Sequence, residues 1–465
     1  MSGSSLWNDP DRAWAPFEAN ARSPWDLGRV AHLHRRAGFL APWDVLQRDL
    51  KDGPEASVAR LLDGGSTAAD GRPASEFEDL ADEMARQLAP GAALTRLQAL
   101  WLYRMVFTGH PLRERMTLFW HNHFATSQTK VNNAALMQRQ QELLRENALG
   151  DFGSMLRAIG KNPAMLIWLD SKENRKAHPN ENYAREVMEL FTLGRGHYSE
   201  KDVQEAARAF TGWFVIRDAF QEVAKQHDGG TKTVLGRTGA FDGDDIPEIL
   251  LAQPACAEFL CGKLVKAFVT ETDVVPPALV APLAKAFREA HYDVKVPLTM
   301  ILKSNLFLDA SVRRHRIKSP VEFAVGTIRA LEVVKPTVQA DALAESCARM
   351  GQGLFAPPSV AGWEGGPAWA NSTTMLHRTN FALALLSTEN GALGKRLDPW
   401  TLARRHGIAP GKEVARFYTD LLVQDGFDPK VRATVEAATI KQKDHAAGAR
   451  EAATLILTAP EYHLA

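Results

Sequence analysis

Apolar residues recur at helical spacing along most of the chain. The segments PWDLGRVAHLHRRAG, APWDVLQRDLKDG and PEASVARLLDGG each place apolar side chains three or four residues apart and end near a glycine, as amphipathic helices do. Ser199, with Asp202 three residues later, is the predicted N-cap of the helix in SEKDVQEAARAFTGW. The same periodicity continues towards the C-terminus, and it predicts a mainly α protein built from many helices.

Helical spacing breaks down over residues 214–243. There, FVIRDAFQEVAKQHDGGTKTVLGRTGAFDG alternates short apolar runs with Gly-Gly and other turn residues, which predicts a small β-hairpin insert. The rest of the chain shows no internal repeat and no clear linker. We therefore predict one large multi-helix domain over residues 28–465, preceded by an N-terminal extension over residues 1–27.

The composition is typical of a soluble globular protein, since 45% of the 465 residues are hydrophobic and 24% are charged. The 55 basic residues balance the 55 acidic ones, so the net charge gives no indication of nucleic-acid binding. Three cysteines in this length argue against a disulfide framework, and Cys256 and Cys261 are predicted to pack in the core. The N-terminus lacks a signal-peptide pattern, and no segment reaches about eighteen consecutive apolar residues, so we expect a cytoplasmic protein without a membrane span.

The segment HPNENYAREVMELFTLG combines an apolar face with an unusual number of polar groups. On a regular helix Asn182, Glu186 and Glu189 fall on one stripe, and Arg185 lies on its flank. Two carboxylates one turn apart repel each other unless a cation or a shared proton compensates them. These four residues are therefore candidate catalytic residues. The alternative is a buried ion-pair network in which Arg185 and a second basic residue neutralise the stripe.

A second polar cluster lies in the segment WHNHF. In an extended segment, His121 and His123 would point to the same side, as in many metal sites. On a continuous helix, only His123 shares the inward face, so both imidazoles reach one site only if the backbone leaves the helix near Asn122. A single inward histidine is more often a satisfied core residue than a metal ligand.

Three functional hypotheses follow from these clusters. In the first, the protein is a metal-dependent hydrolase or oxidoreductase, because carboxylates and imidazoles inside a helical bundle suit iron, manganese or zinc. The candidate metal ligands are His121, His123, Asp170, Glu186, Glu189 and His227. The arrangement falls short of the paired Glu-x-x-His pattern of di-iron bundles, and the P-loop, GxSxG and HExxH signatures are absent from the sequence.

The second hypothesis is a metal-free polar pocket, in which Glu186 or Glu189 acts as a general base and Arg185 binds an anionic group. The third is a non-catalytic scaffold or binding partner with a structural ion-pair core. In that case, the loop at residues 353–369, rich in proline, glycine and tryptophan, would be an interaction surface. Its two tryptophans would either stack on a sugar or peptide or, more simply, fill the core beneath the loop. The residues leave open whether the protein is an enzyme.

The most distinctive segments run from about residue 28 to the C-terminus. They are HLHRRAGF, RERMTLFWHNHFATS, NPAMLIWLDSKENRKAHPNENYAREVMELFTLG, YSEKDVQEAARAFTGW, HDGGTKTVLGRTGAFDGDDIPEILLAQ, KSPVEFAVGTIRAL, GQGLFAPPSVAGWEGGPAWANSTTMLHR and APEYHLA. Taken together, they resemble a bacterial family known only as domain of unknown function 1800. The resemblance implies no established activity, and therefore no catalytic residues. Many relatives carry an export signal and are encoded beside a second family that looks like phosphatases and sulfatases, which implies a partner of that kind, although this chain shows no leader.

Overall fold

The structure is a computed structural model that describes residues 5–87, 93–271, 274–333, 338–387, 391, 393 and 397–465. Helices make up most of this part of the chain, and its strands are four short segments. The mainly α fold class predicted from the periodicity is therefore confirmed. None of the helices within the described ranges is long and apolar enough to cross a membrane.

The α-helices, numbered in chain order, are α1 Pro10–Trp14, α2 Leu27–Ala37, α3 Trp43–Asp52, α4 Pro54–Asp63, α5 Ala74–Arg86, α6 Leu94–Phe107, α7 Pro111–His123, α8 Gln128–Val131, α9 Ala134–Glu146, α10 Phe152–Gly160, α11 Pro163–Trp168, α12 Asn182–Glu186, α13 Glu200–Ala209, α14 Asp245–Leu251, α15 Pro254–Phe268, α16 Pro277–Glu289, α17 Lys295–Lys303, α18 Pro320–Ala330, α19 Ala340–Arg349, α20 Ser372–Leu386, α21 Pro399–Arg405, α22 Lys412–Leu422, α23 Pro429–Ile440 and α24 His445–Thr458. A π-helix, Val187–Thr192, follows α12 directly. Short 3-10 helices are Ser5–Asn8, Ser171–Glu173, Ala224–Gln226, Ala310–Val312, Gly366–Trp369, Gln424–Gly426 and Pro460–His463.

The predicted β-hairpin insert is present as two separate hairpins. The strands are β1 Trp213–Ile216, β2 Ala219–Glu222, β3 Lys232–Val234 and β4 Arg237–Gly239, paired antiparallel as β1 with β2 and β3 with β4. Both connections have two consecutive residues with positive φ, Arg217–Asp218 and Leu235–Gly236. Two such residues form the type I′ turn that suits the twist of a two-residue hairpin.

The described helices enclose two hydrophobic cores. The first core contains buried residues of α1, α4, α7 and α10–α17, and the second contains residues of α5, α6 and α18–α24. Four of the described helices, α2, α7, α9 and α11, contribute to both. Leu33 of α2 and Trp120 of α7 lie in the first core, whereas Val30 of α2 and Leu118 of α7 lie in the second. Helix α7 is therefore covered on opposite faces, and even its polar residues Glu114, Arg115, Thr117, His121 and His123 are buried.

The described part of the N-terminal extension packs against the helices that follow it. Leu6 and Trp14 are buried in the first core, and the Trp14 indole Nε1 donates a hydrogen bond of 2.8 Å to the carbonyl of Leu279. Residues 1–4 lie outside the described ranges. The division into an extension and a single domain stays a prediction.

Two local predictions are confirmed. Ser199 caps α13, and the side chains of Ser199 and Asp202 form a reciprocal capping box. Cys256 and Cys261 are buried and free, and both lie in the first core.

The burial of α7 predicts a large loss of stability on truncation of its core side chains. Leu112 is fully buried, so we expect Leu112→Ala to lower the free energy of unfolding by about 2–5 kcal/mol. Leu376 of α20 is 58% exposed. The matched change Leu376→Ala should therefore alter the free energy of unfolding by less than about 0.5 kcal/mol. Denaturant unfolding of both variants measures the difference. Equal losses would contradict the two-sided burial of α7.

Candidate functional site

The polar segment predicted as a regular helix changes its geometry at its centre. Residues Asn182–Glu186 are α-helical, but Val187–Thr192 form a π-helix, and the amide of Leu193 donates to the carbonyl of Met188 five residues earlier. The single α-helical stripe predicted for this segment is therefore wrong beyond Val187, because a π-turn contains more residues than an α-turn. π-Turns are rare and often occur at functional sites.

The charged side chains of this segment pair with each other on the surface. Arg185 binds Glu181 at 2.9 Å and Glu200 at 2.7 Å. The Glu189 carboxylate accepts hydrogen bonds from Tyr198 at 2.6 Å and from Arg195, and these bonds lower its pKa. The predicted ion pairs are thus present, but they are local and partly exposed rather than a buried network.

Glu186 differs from Glu189 in the direction of its pKa shift. Its side chain is half-buried, and burial, reinforced by the neighbouring Glu189, raises its pKa. Asn182 is exposed and donates to Asp170 at 3.2 Å, and Asp170 also binds the ammonium of Lys130 at 2.8 Å.

His121 has a structural environment in the second core. Helix α7 continues to His123, so the two imidazoles do not share one face. The His121 ring packs between Trp101 and Phe355, and its Nε2 accepts a 3.0 Å hydrogen bond from the Phe355 amide. Burial lowers the pKa of His121 to about 3, which keeps the ring neutral.

The six predicted metal ligands do not converge. His227 bonds through Nδ1 to the carbonyl of Thr211 at 3.0 Å, close to the hairpins, and His121 and His123 lie on different faces of α7. Within the described ranges, no three His, Cys, Asp or Glu side chains form a group that could hold a metal ion. The metal-centre hypothesis therefore gains no support from these residues.

A cleft of about 560 Å³ is bounded by α7, α15, the N-terminus of α18 and the loop at residues 361–369. Its lining combines aromatic side chains with charged groups of both signs. The charged and ionisable lining residues are Arg115, His123, Lys263, Lys266, Glu271, Arg316, Glu322 and Glu364.

His123 and Lys263 form a hydrogen-bonded pair in this cleft. The Lys263 ammonium donates to His123 Nδ1 at 3.0 Å and to the carbonyl of Leu190 at 3.2 Å. His123 Nε2 donates to the carbonyl of Phe191 at 3.1 Å, because Nδ1 is already the acceptor for the lysine. Both carbonyls belong to the last turn of the π-helix, where helix carbonyls lack partners within the helix. The polar segment thus supports this pair with its backbone.

The surroundings of the pair shift the pKa values of both groups downwards. Burial lowers the pKa of Lys263 to about 8, and the neighbouring cation Lys266 adds to this effect. Burial and the charge of Lys263 lower the pKa of His123 well below its ordinary value. Consequently His123 is neutral, and Lys263 exists as both ammonium and amine near neutral pH.

A buried ion-pair network forms another wall of the cleft. The Glu322 carboxylate, only 3% exposed, binds Arg115 at 2.6 Å and Arg316 at 3.1 Å. Glu322 also completes a capping box with Ser319 at the start of α18. Burial alone would raise the pKa of Glu322, but the two arginines outweigh it and hold the pKa well below its usual range.

Asn122 holds the loop at residues 361–369, here called the aromatic loop, over the cleft by hydrogen bonding. Its Oδ1 accepts a 2.7 Å hydrogen bond from the amide of Trp363. Gly362 has φ +81°, and a Cβ there would lie 2.2 Å from Asn122 Oδ1, so the backbone approaches the asparagine too closely for any other residue. Trp363 and Trp369 are both largely buried, so they mainly fill the space beneath the loop.

Sequence reasoning missed Lys263 and treated Asn122 only as a possible break in the helix. The helical spacing of the sequence does indicate that Lys263 is unusual. In PACAEFLCGKLVKAF, the lysine follows Cys256 and Leu260 at spacings of seven and three residues, which places a cation on the buried face of a core helix.

Comparison with known proteins gives one result. A family model described as Protein of unknown function (DUF1800) matches residues 32–464. No curated protein and no solved structure matches. Three of the segments that carried the resemblance, RERMTLFWHNHFATS, KSPVEFAVGTIRAL and GQGLFAPPSVAGWEGGPAWANSTTMLHR, meet at the cleft.

The close approach of Gly362 to Asn122 predicts a specific cost of substitution. Gly362 and Gly411 both have positive φ, but a Cβ at Gly411 meets nothing within 4 Å. Gly411→Ala should therefore cost only the backbone strain of about 1–2 kcal/mol. Gly362→Ala should cost about 1–3 kcal/mol more, because of overpacking. Thermal and denaturant unfolding measure the stability of both variants. Equal losses of stability would contradict the close approach of Gly362 to Asn122.

The Glu322 network predicts a pH-dependent contribution to stability. Since the folded-state pKa of Glu322 is depressed, its stabilising effect is fully present above the unfolded-state pKa of about 4.3 and is lost as the pH falls below that value. We expect Glu322→Gln to lower the free energy of unfolding by about 3–5 kcal/mol at pH 7, and by progressively less below pH 4.

Urea unfolding of both proteins across this pH range measures the difference. Glu345→Gln serves as the control, because Glu345 forms an exposed pair with Arg349 and should contribute little. A difference between wild type and Glu322→Gln that is independent of pH would contradict the charged network.

Proposed function

The chain belongs to the family described as Protein of unknown function (DUF1800), and we propose that it is an enzyme that binds an anionic substrate in the cleft of about 560 Å³ and uses the amine of Lys263 as its reacting group. The observation that carries this proposal is the Lys263–His123 hydrogen bond of 3.0 Å inside the cleft.

The partners of Lys263 distinguish it from an ordinary surface lysine. Both acceptors, His123 Nδ1 and the Leu190 carbonyl, are neutral, so no carboxylate among them stabilises the ammonium. A lysine ammonium has three N–H donors, and these two bonds leave the third available to a bound molecule. Perturbed lysines in clefts are typical of functional sites.

The charges of the lining favour an anion. Lys263 and Lys266 lie one turn apart on α15, and like charges at this spacing are unfavourable until an anion lies between them. Across the cleft, Arg115 and Arg316 are paired with carboxylates, whereas the hydrogen-bond acceptors of Lys263 are neutral, so Lys263 is the cation that an anion in the cleft would pair with. With a pKa of about 8 for Lys263, the ammonium can donate a proton to a bound substrate and the amine can accept one.

The polar segment around Glu186 is a second candidate site. Its half-buried carboxylate with a raised pKa suits a general base, and Asn182, Arg185 and Glu189 would orient a substrate there. The π-helix links this surface to the cleft, because its carbonyls hold His123 and Lys263. Glu186→Gln and Glu189→Gln probe this candidate independently of Lys263.

The metal-dependent version of the proposal needs ligands that the described residues do not bring together. It would require iron, manganese or zinc at near-stoichiometric amounts in protein expressed with added metal, and elemental analysis decides this directly. A phosphatase- or sulfatase-like partner stays a prediction, and co-purification with the neighbouring gene product would test it.

The proposal predicts an unusual reactivity of Lys263. Because its pKa is about 8, about a quarter of its amine is unprotonated at pH 7.5, against roughly one part in a thousand for an ordinary lysine. Trace acetylation with acetic anhydride between pH 6 and 10, followed by peptide mass analysis, should give a labelling rate at Lys263 that is half-maximal near pH 8. Lys285, which is exposed, is the internal control and should keep rising to higher pH.

Anion binding should then slow the labelling. Inorganic phosphate and acetate are expected to reduce the rate at Lys263 at least several-fold and to leave the rate at Lys285 unchanged. The proposal fails if Lys263 follows the pH profile of Lys285, or if neither anion slows its acetylation.

A further inference from the structure

We propose that the substrate of this cleft is a small carbonyl compound carrying a carboxylate, and that Lys263 forms an imine with its carbonyl carbon. This inference rests on the proposed function, since it assigns a substrate class to the same cleft. The inference is based on the hydrogen bonds and neighbours of the Lys263 nitrogen.

The hydrogen bonds of Lys263 orient it as a nucleophile. A neutral amine has two N–H groups and one lone pair. The two acceptors of Lys263, His123 Nδ1 and the Leu190 carbonyl, match the two N–H groups in number. With both N–H groups bound to these acceptors, the lone pair points away from them, and Lys263 lines the cleft. An amine in this arrangement presents its lone pair to a bound carbonyl carbon.

His123 has one fixed role in this arrangement. Its Nε2 proton is held by the carbonyl of Phe191 at 3.1 Å, so the ring cannot turn or change tautomer without losing a buried hydrogen bond. Nδ1 is therefore permanently an acceptor for Lys263. His123 is a positioning residue here, because it acts on the substrate only through the lysine.

The other neighbours of the amine are an aromatic ring and a second cation. The Lys263 nitrogen lies 4.8 Å from the centre of the Phe259 ring. Lys266, one turn further along α15, opposes protonation of Lys263. Burial of a lysine, or a second cation beside it, activates the amine for Schiff-base chemistry, and both apply to Lys263.

The reaction balances without an oxidant or a metal. The amine lone pair attacks the carbonyl carbon, and the π electrons of the C=O bond move to the oxygen. The nitrogen loses two protons in all and the oxygen gains two, so the oxygen leaves as water while the nitrogen lone pair closes the C=N bond. Lys263 and the carbonyl compound thus give an imine and one water molecule. The carboxylate of the substrate would face Lys266, which is exposed at the cleft.

Reductive trapping tests the inference with glyoxylate, an aldehyde that carries a carboxylate. Sodium cyanoborohydride donates a hydride to the imine carbon, and a solvent proton adds to the nitrogen, which leaves a carboxymethyl group on the lysine. We expect peptide mass analysis to place this group on Lys263 at least ten-fold faster than on the exposed Lys285. Acetaldehyde, which lacks the carboxylate, should show a several-fold smaller preference for Lys263.

Four variants separate chemistry from folding. Lys263→Arg should abolish the preferential trapping, whereas Lys266→Arg, which keeps the charge, should retain it. His123→Asn supplies a neutral oxygen acceptor near the position of Nδ1 and should retain at least part of the trapping, but His123→Leu should lose ten-fold or more. Circular dichroism and thermal unfolding verify that each variant is folded, and rescue by asparagine is not expected of a merely structural histidine.

The outcomes distinguish this inference from the proposed function. If Lys263 shows the pH 8 acetylation profile and protection by phosphate, but glyoxylate modifies it no faster than Lys285, the carbonyl substrate is wrong and the anion-binding lysine stands. If Lys263 shows neither the pH 8 acetylation profile nor preferential trapping by glyoxylate, both the inference and the proposed function are wrong. Equal trapping of glyoxylate and acetaldehyde at Lys263 would overturn the carboxylate requirement alone.

Discussion

The buried carboxylate of Glu322 is the constraint on which the geometry of the cleft depends. An ionised group in the interior is tolerated only when it is paired and hydrogen-bonded. One partner, Arg115 in α7, is distant in the chain, and the other, Arg316, lies only six residues before Glu322. Any movement that separated these segments would leave a charge buried without a partner. The network therefore fixes α7 and the N-terminus of α18 relative to each other, and the cleft lies between fixed walls.

Three consecutive residues at the end of helix α7 contact three different parts of the structure. Successive side chains on a helix are about 100° apart, so His121, Asn122 and His123 point in different directions. His121 packs in the second core, Asn122 holds the aromatic loop, and His123 holds Lys263. A regular helix at the boundary between two cores thus brings three consecutive polar side chains to three different neighbours.

Much of the architecture could be predicted from the sequence, because helix periodicity and capping depend on residues close in the chain. The capping box of Ser199 and the hairpins over residues 214–243 belong to this class. The candidate site was only partly accessible. His123 was singled out, but its partner Lys263 lies 140 residues away. The π-turn at Val187–Thr192 also escaped prediction, and its last carbonyls bind Lys263 and His123, which lie far away in the chain.

Local sequence patterns were enough to predict the mainly α fold class, the position of the β insert, the burial of the cysteines and the family to which the chain belongs. Each of these follows from local patterns or from motifs that are readable along the chain. Which polar residues meet depends instead on how the helices pack. The tertiary structure placed Glu186 and Glu189 at a partly exposed surface, separated His121 from His123, and brought Lys263 to His123. Burial and charge pairing act between side chains that are near in space, and the spacing of residues along one helix does not specify which residues of another helix lie opposite.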